Sequence, residues 1–160
     1  MIPDDARILL DRSILLHLVR KRPAGAWVYS EYRLGERPRK PLISRVTVGE
    51  CLAFSRTGKN PWGEDKKRRL NDLLQELPVV ELNNGPVTEL FADFSGHLYN
   101  VGQRLGNPHD IWIAACAVAV DATVLTADRD FARLVPLGLR VERIDPEELK
   151  KLNRDAKGGK

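Results

Sequence analysis

Cysteine is scarce: Cys51 and Cys116 are the only two in 160 residues, far apart and set among apolar neighbours. That excludes a disulfide-stapled secreted scaffold and a zinc site built on paired thiols, and it reads as reduced core cysteine in a cytoplasmic protein. Long hydrophobic runs are missing too. The longest, 111–120, is about half a membrane span, so no transmembrane helix and no membrane partner is expected. The apolar start of the chain is interrupted by Asp4, Asp5, Asp11 and Arg12, where a signal peptide needs an unbroken stretch. A strong excess of one charge is also lacking. The 26 Lys+Arg against 22 Asp+Glu leave +4, which permits a polyanionic partner without demanding one. No internal repeat or composition break divides the chain, and 42% apolar with 30% charged residues is ordinary for one globular domain. Size scaling buries about 69% of the surface of such a chain, enough for a core without disulfides or a structural metal. The expected domain is 1–152, followed by a polar tail over 153–160 with too little apolar surface to become ordered.

What is present alternates. Short apolar runs at 8–10, 42–44, 79–82, 123–126 and 139–144 read as strands. Between them, helices are expected over 13–20, 24–32 and 48–56. Another follows around Leu70, Leu73, Leu74 and Leu77, whose spacing is i, i+3, i+4, i+7. The helical phase of Val87, Leu90, Phe91, Phe94, Leu98, Val101 and Leu105 gives the longest helix, which Gly106-Asn107-Pro108 breaks. The stretch 111–120 is apolar all round, the pattern of a helix packed on several sides, and short helices follow at 128–134 and 146–152. Strands alternating with helices predict a three-layer α/β/α fold with a parallel sheet of about five strands.

Open parallel sheets present their chemistry beyond the carboxyl ends of the strands. Four carboxylates fall at such positions. Asp11 follows the first strand, Glu50 falls on the first turn expected after the second, Asp110 opens the buried helix, and Asp128 follows Thr126 at the end of the fourth. Each also has a purely structural explanation. Asp11 and Asp128 suit N-caps, Thr47 to Glu50 fits a capping box, and Asp110 suits a helix dipole. Together they would repel one another in one cleft unless a cation lay among them. Oxygen donors without a matching His or Cys cluster suit Mg²⁺ or Mn²⁺, which can polarise a phosphate for attack by water. His109 reads as a cap or solvated neighbour more than a ligand, and Lys66–Arg69 as a solvated face, with RNA contact the alternative. The basic stretch 20–40, with Trp27, Tyr29 and Tyr32 interleaved, is a candidate for stacking and phosphate contact.

These residues resemble a family. Ile8-Leu9-Leu10-Asp11-Arg12-Ser13 is similar to the opening strand motif of PIN-domain ribonucleases, and Ile43 to Cys51 to their serine–threonine–glutamate segment. His109-Asp110-Ile111-Trp112-Ile113-Ala114-Ala115 and Val124-Leu125-Thr126-Ala127-Asp128-Arg129-Asp130-Phe131 are similar to their two C-terminal motifs. Order and spacing agree over residues 6 to about 144. Within the family, the chain most resembles VapC-type toxins of type II toxin–antitoxin modules. The resemblance implies a PIN-like fold and a Mg²⁺-dependent endoribonuclease whose acidic site is Asp11, Glu50, Asp110 and Asp128. Asp11, Asp110 and Asp128 would be the metal ligands, with Asp130 the alternative to Asp128. Ser13 and Thr126 would orient carboxylates or touch substrate. Arg12 stands where the family usually has Thr, and would either pair with Asp11 or reach a phosphate. Implied partners are an RNA substrate and a cognate antitoxin, with room for a homodimer. A catalytically silent PIN-like RNA-binding module and a free-standing RNA-processing nuclease remain the rivals. A receiver domain and a haloacid-dehalogenase-like phosphatase are excluded, since Asp11-Arg12-Ser13 lacks the second Asp and no Lys follows the last strand.

Overall fold

Ile8 and Leu10 of strand β1 (Arg7–Leu10) join one hydrophobic cluster and Leu9 joins another, so this strand is buried on both faces. The computed structural model describes residues 1–158 and places β1 at the centre of a parallel sheet. On one side β1 pairs with β4 (Ala122–Thr126), from Arg7–Ala122 to Leu10–Leu125, and β4 pairs with β5 (Arg140–Arg143). On the other, β2 (Ile43–Ser44) and β3 (Val79–Val80) form a two-stranded parallel ladder. A bridge at Leu9–Leu42 joins the two ladders, with Leu10 N–H donating to Leu42 O and Leu42 N–H to Ile8 O, both at 2.8 Å. The spatial order is therefore β3-β2-β1-β4-β5. All five expected strands are present, β2 and β3 as pairs of residues only.

The period-2 alternation of β1 and β4 divides the core into two. Ile8, Leu10 and Leu125 pack under α1 (Arg12–Val19), α2 (Pro23–Glu31), α4 (Glu64–Glu76) and α7 (Pro146–Gly158). Leu9 and Val124 pack under α5 (Val87–Asn100), α6 (His109–Ala119) and a 3₁₀ helix over Asp130–Leu137. These are the three layers that the alternating pattern implies. Helix α6 is buried on several sides through its small residues, and its Trp112 stacks on Phe91 with centroids 3.8 Å apart. Both cysteines are free and buried, and burial pushes each thiol up to about 12. Among the described residues, no helix is long and apolar enough to cross a membrane.

Of the boundaries that differ from expectation, three have an identifiable physical reason. Helix α5 stops at Asn100 although its apolar phase continues to Leu105, because Gly102 adopts a left-handed φ of +67°. Gly102 N–H then reaches Tyr99 O and Gln103 N–H reaches Leu98 O, a Schellman stop. Helix α3 (Arg45–Arg56) begins three residues early, since Ser44 Oγ accepts from Thr47 N–H at 3.0 Å and caps it. Glu50 thus lies in the second turn, and no capping box forms there.

The third difference is the tail. Helix α7 continues past Leu152 through Gly158, and Asn153 Oδ1 accepts from Ala24 N–H at 3.1 Å. Arg22, at the cap position of α2, offers no side-chain bond, so Asn153, 129 positions beyond Ala24, satisfies an orphan donor there. The polar tail expected over 153–160 is therefore helical in its described part, and Gly159 and Lys160 lie outside the described residues.

Helices α1 and α2 approach so closely at Gly25 that a Cβ there would overlap the His17 carbonyl. Because the obstacle is backbone, Gly25→Ala should lower the melting temperature by about 5 °C or more. Asn153→Ala should cost roughly 1 kcal/mol, a typical lost cap. Thermal melts by circular dichroism read both, and an unchanged melt for Asn153→Ala would mean that the tail does not dock.

Candidate active site

The site is built where β1 and β4 end side by side. Asp11 closes β1 and caps α1, its Oδ2 accepting from Ser13 N–H at 3.3 Å and Ser13 Oγ at 2.6 Å. Thr126, the last residue of β4, donates to the same oxygen at 2.8 Å. Each hydroxyl is itself held by backbone: Ser13 Oγ accepts from Ala127 N–H at 3.0 Å and Thr126 Oγ1 from Asp128 N–H at 2.9 Å. A hydroxyl has one proton to give, so both protons go to Asp11. This clasp locks the start of the 127–130 turn to the end of β1. Hydrogen bonds favour ionised Asp11, yet burial outweighs them and raises its carboxyl above the ordinary range.

Glu50 is 8% exposed and reaches from α3 toward the start of α6. Its Oε1 accepts from Asn107 Nδ2 at 2.9 Å and lies 3.1 Å from His109 Nδ1. Asn107 Oδ1 in turn accepts from His109 N–H at 3.1 Å. Asn107 and His109 are the residues that sequence reasoning passed over, as a helix break and a solvated neighbour. An Asn two residues before a helix start signals a local Asx bond; nothing in the sequence points to a glutamate 57 positions away.

Asp110 is the most buried of the acids, at 3% exposure, and its Oδ2 has no hydrogen-bond partner. Its carboxyl is pushed up to about 7, first by burial and then by the charges of Asp11, Asp128, Glu50 and Asp130. Its place in the first turn of α6 favours a negative charge, but the burial and the neighbouring acids prevail. Asp11, Glu50 and Asp128 thus each lie within electrostatic reach of Asp110. Asp128 and Asp130 differ in what they hold. Asp128 Oδ1 accepts from Asp130 N–H at 2.9 Å, a turn within its own loop. Asp130 Oδ2 accepts from Gly106 N–H at 3.0 Å and its other oxygen lies 3.6 Å from Arg133, so it fastens the loop ahead of α6.

Arg12 forms no ion pair with Asp11. Its guanidinium instead lies 5.8 Å from the centroid of the Phe54 ring. Part of the basic stretch 20–40 is engaged within the fold. Tyr32 donates to Glu142 at 3.3 Å, Arg33 pairs with Asp4 at 2.6 Å, and the buried Arg37 side chain donates to Ala6 O at 3.1 Å.

The donors around Asp110 are all hard oxygens, and a buried carboxylate oxygen without a partner fits a divalent cation such as Mg²⁺ or Mn²⁺. Among the described residues, no three His, Cys, Asp or Glu side chains stand close enough to form a ready-made metal cage. The carboxylates surround Asp110 without closing on a common point.

A family profile described as the PIN domain matches residues 8–135. The chain belongs to the PIN domain family. Among solved structures, this PIN domain is similar to VapBC2 from Rickettsia felis bound to a promoter DNA fragment. The TM-score is 0.70 at 24% identity, over 87% of this chain and 99% of that one. It is also similar to DNA-bound VapBC from Salmonella typhimurium, with TM-score 0.71 and 20% identity over 86% of this chain and 98% of that one. At these identities the likeness shows the fold. A 52-residue stretch is 42% identical to the integrase of Escherichia phage 186, covering 32% of this chain and 16% of the integrase. The chain therefore spans about a sixth of that curated relative's length.

The raised carboxyls of Asp110 and Asp11 set the pH dependence of the metal-free protein. Unfolded, both titrate near 4, so ionising them in the fold costs stability that is fully present above the raised pKa. In chelator, the melting temperature should rise as pH falls from about 8 toward 5.5. Asp110→Asn should melt higher than wild type at about pH 8 and show a smaller rise on acidification. Added Mg²⁺ should stabilise the wild type more than this variant. An Asp110→Asn protein that melts lower at the higher pH, and gains as much from Mg²⁺, would overturn the electrostatic account.

Proposed function

We propose that this PIN domain is a divalent-metal-dependent endoribonuclease, the toxin of a type II toxin–antitoxin pair. The observation that carries the reading is the buried, unpartnered oxygen of Asp110 among the charges of Asp11, Asp128 and Glu50. Caps and structural ion pairs do not leave a carboxylate in that state. Asp11 and Asp110 would hold Mg²⁺ or Mn²⁺, and Asp128 would complete the set because Asp130 is engaged with Gly106. When bound there, the ion supplies Lewis acidity toward a phosphate oxygen.

The chain's own residues do the rest. Ser13 and Thr126 fix the orientation of Asp11. Asn107 and His109 hold Oε1 of Glu50, leaving Oε2 to orient water and take its proton. As that water oxygen bonds to phosphorus, the bond to the 3′-oxygen breaks and the departing oxygen takes a proton from solvent, leaving 5′-phosphate and 3′-hydroxyl ends. Arg12 would contact a flanking phosphate. The proposed protein partner is a small antitoxin. The VapBC likenesses support it, as does an open groove of about 790 Å³ between α1, α2 and α4 lined by Val19, Leu34, Leu73 and Leu77. The cytoplasm is the proposed location.

Asp11→Asn and Asp110→Asn should each lower RNA cleavage by about a thousandfold or more while the fold survives. Glu50→Gln should lose less if it acts through water, and Asp128→Asn should lose more than Asp130→Asn. Gel assays on labelled RNA with Mg²⁺ and with chelator measure all of these; full activity in either Asn variant sinks the metal assignment. Expressed alone, the wild type should arrest bacterial growth and Asp11→Asn should relieve the arrest. Arrest that persists with the variant points to binding or aggregation instead of cleavage.

A further inference from the structure

Phe54 lies one turn beyond Glu50 on α3, at the i, i+4 spacing that puts two side chains on one helix face. Two guanidinium groups from the ends of α1, Arg12 and Arg20, each stand 5.8 Å from the centroid of its ring. Trp62 meets Phe54 edge-on, with centroids 6.0 Å apart, and carries the Lys66 ammonium 4.0 Å from its own centroid. Arg22 and Arg69 add to the same field: together with Arg20 they press the Lys66 pKa down, after burial, and Arg22 does the same to Arg20.

None of Arg12, Arg20, Arg22 and Lys66 has an ion-pair partner among the described residues. Lys67 and Arg68, on the same helix as Lys66, each find an acid one turn away. Cations crowded without counter-charge repel one another, which an arriving anion would relieve. The cluster also has a direction. It begins at Arg12, the neighbour of Asp11, and at Phe54, the neighbour of Glu50, so it starts where the acidic cleft ends.

We infer that this basic aromatic platform binds the single-stranded RNA that flanks the scissile phosphate, with its cations on phosphates and the Phe54 and Trp62 rings against bases. The inference rests on the nuclease reading above and extends it to residues outside the acidic site. Cations that lie over ring faces can turn to phosphates and leave those faces to bases, an alternation that a single strand offers and an acidic peptide does not. A platform of this kind confers affinity and register without reading sequence.

The test is fluorescence anisotropy on the full chain in chelator, with a labelled oligouridylate RNA of about 12 nucleotides as probe. Arg20→Gln combined with Lys66→Gln should weaken binding about tenfold and reduce the log–log salt slope by about 1.4, two phosphate contacts at about 0.7 each. Phe54→Leu should weaken binding about fivefold or more with the slope unchanged, because a stacking contact releases no counterion. Melting curves check that Phe54→Leu and the Arg20/Lys66 pair, all half-buried, keep the fold; a pair that melts like wild type decides the matter regardless of Phe54→Leu. Absence of saturable RNA binding by the wild type overturns the inference. So does binding by both sets of variants within about twofold of wild type. A double variant that loses affinity for a polyglutamate competitor but keeps it for RNA also overturns it, in favour of an acidic protein. Cleavage in Mg²⁺ separates the two readings. A wild type that binds but never cleaves ends the nuclease reading and leaves the platform standing. A wild type that cleaves, alongside platform variants that bind and cleave equally well, does the reverse.

Discussion

Two hydroxyl groups converge on one oxygen of Asp11, and the functional end of the molecule depends on them. Ser13 and Thr126 each receive a backbone N–H from the turn after β4 and pass their own proton to Asp11. The bonds therefore couple two backbone segments through a carboxylate, and they set where Asp128 begins. Neither hydroxyl has a spare proton for any other acceptor. A Ser or Thr at these positions is part of the frame as much as of the chemistry. The same clasp explains why Asp11 can be both a helix cap and a candidate ligand: every bond that caps or orients it falls on Oδ2.

Charge is distributed so that the mild overall excess of +4 conceals two opposed regions. Acids gather at the carboxyl ends of β1 and β4 and at the start of α6, and cations gather along the seam of α1, α3 and α4. Arg12 stands between them and turns toward Phe54, not toward Asp11. Had it paired with Asp11, the acidic cleft would be partly neutralised from within. Each region is held at some cost to the fold, a common bargain where a site must be ready for a ligand of opposite charge.

The fold was legible because its signals are redundant. Strict alternation of apolar runs, helix periods and turn residues identified five strands and three layers, and β1 and β4 show the two-faced burial that continuous apolar strands imply. The acids at strand ends were legible for the same reason: topology, not spacing, brings them together. Some misses are local, and others came from bonds that cross the chain. Leu105 keeps the phase of α5, but the left-handed Gly102 ends the helix first. The residues from Asn153 onward look solvent-bound until Ala24, a donor without a local cap, is placed beside them. Asn107 and His109 looked local for the same reason, since their partner lies on another helix.

The order of the strands has a consequence for synthesis. A ribosome delivers β1 first, yet the strand that completes its pairing, and the threonine that completes the Asp11 clasp, arrive 115 residues later. Until β4 has emerged, Asp11 has Ser13 alone and α6 lacks Val124 from the sheet face that it covers. Such long-range parallel pairing forms slowly and as one event. Nascent chains and fragments ending short of Thr126 hold the acids of α1, α3 and α6 without the element that gathers them. The central position of β1 thus ties the assembled site to the arrival of β4.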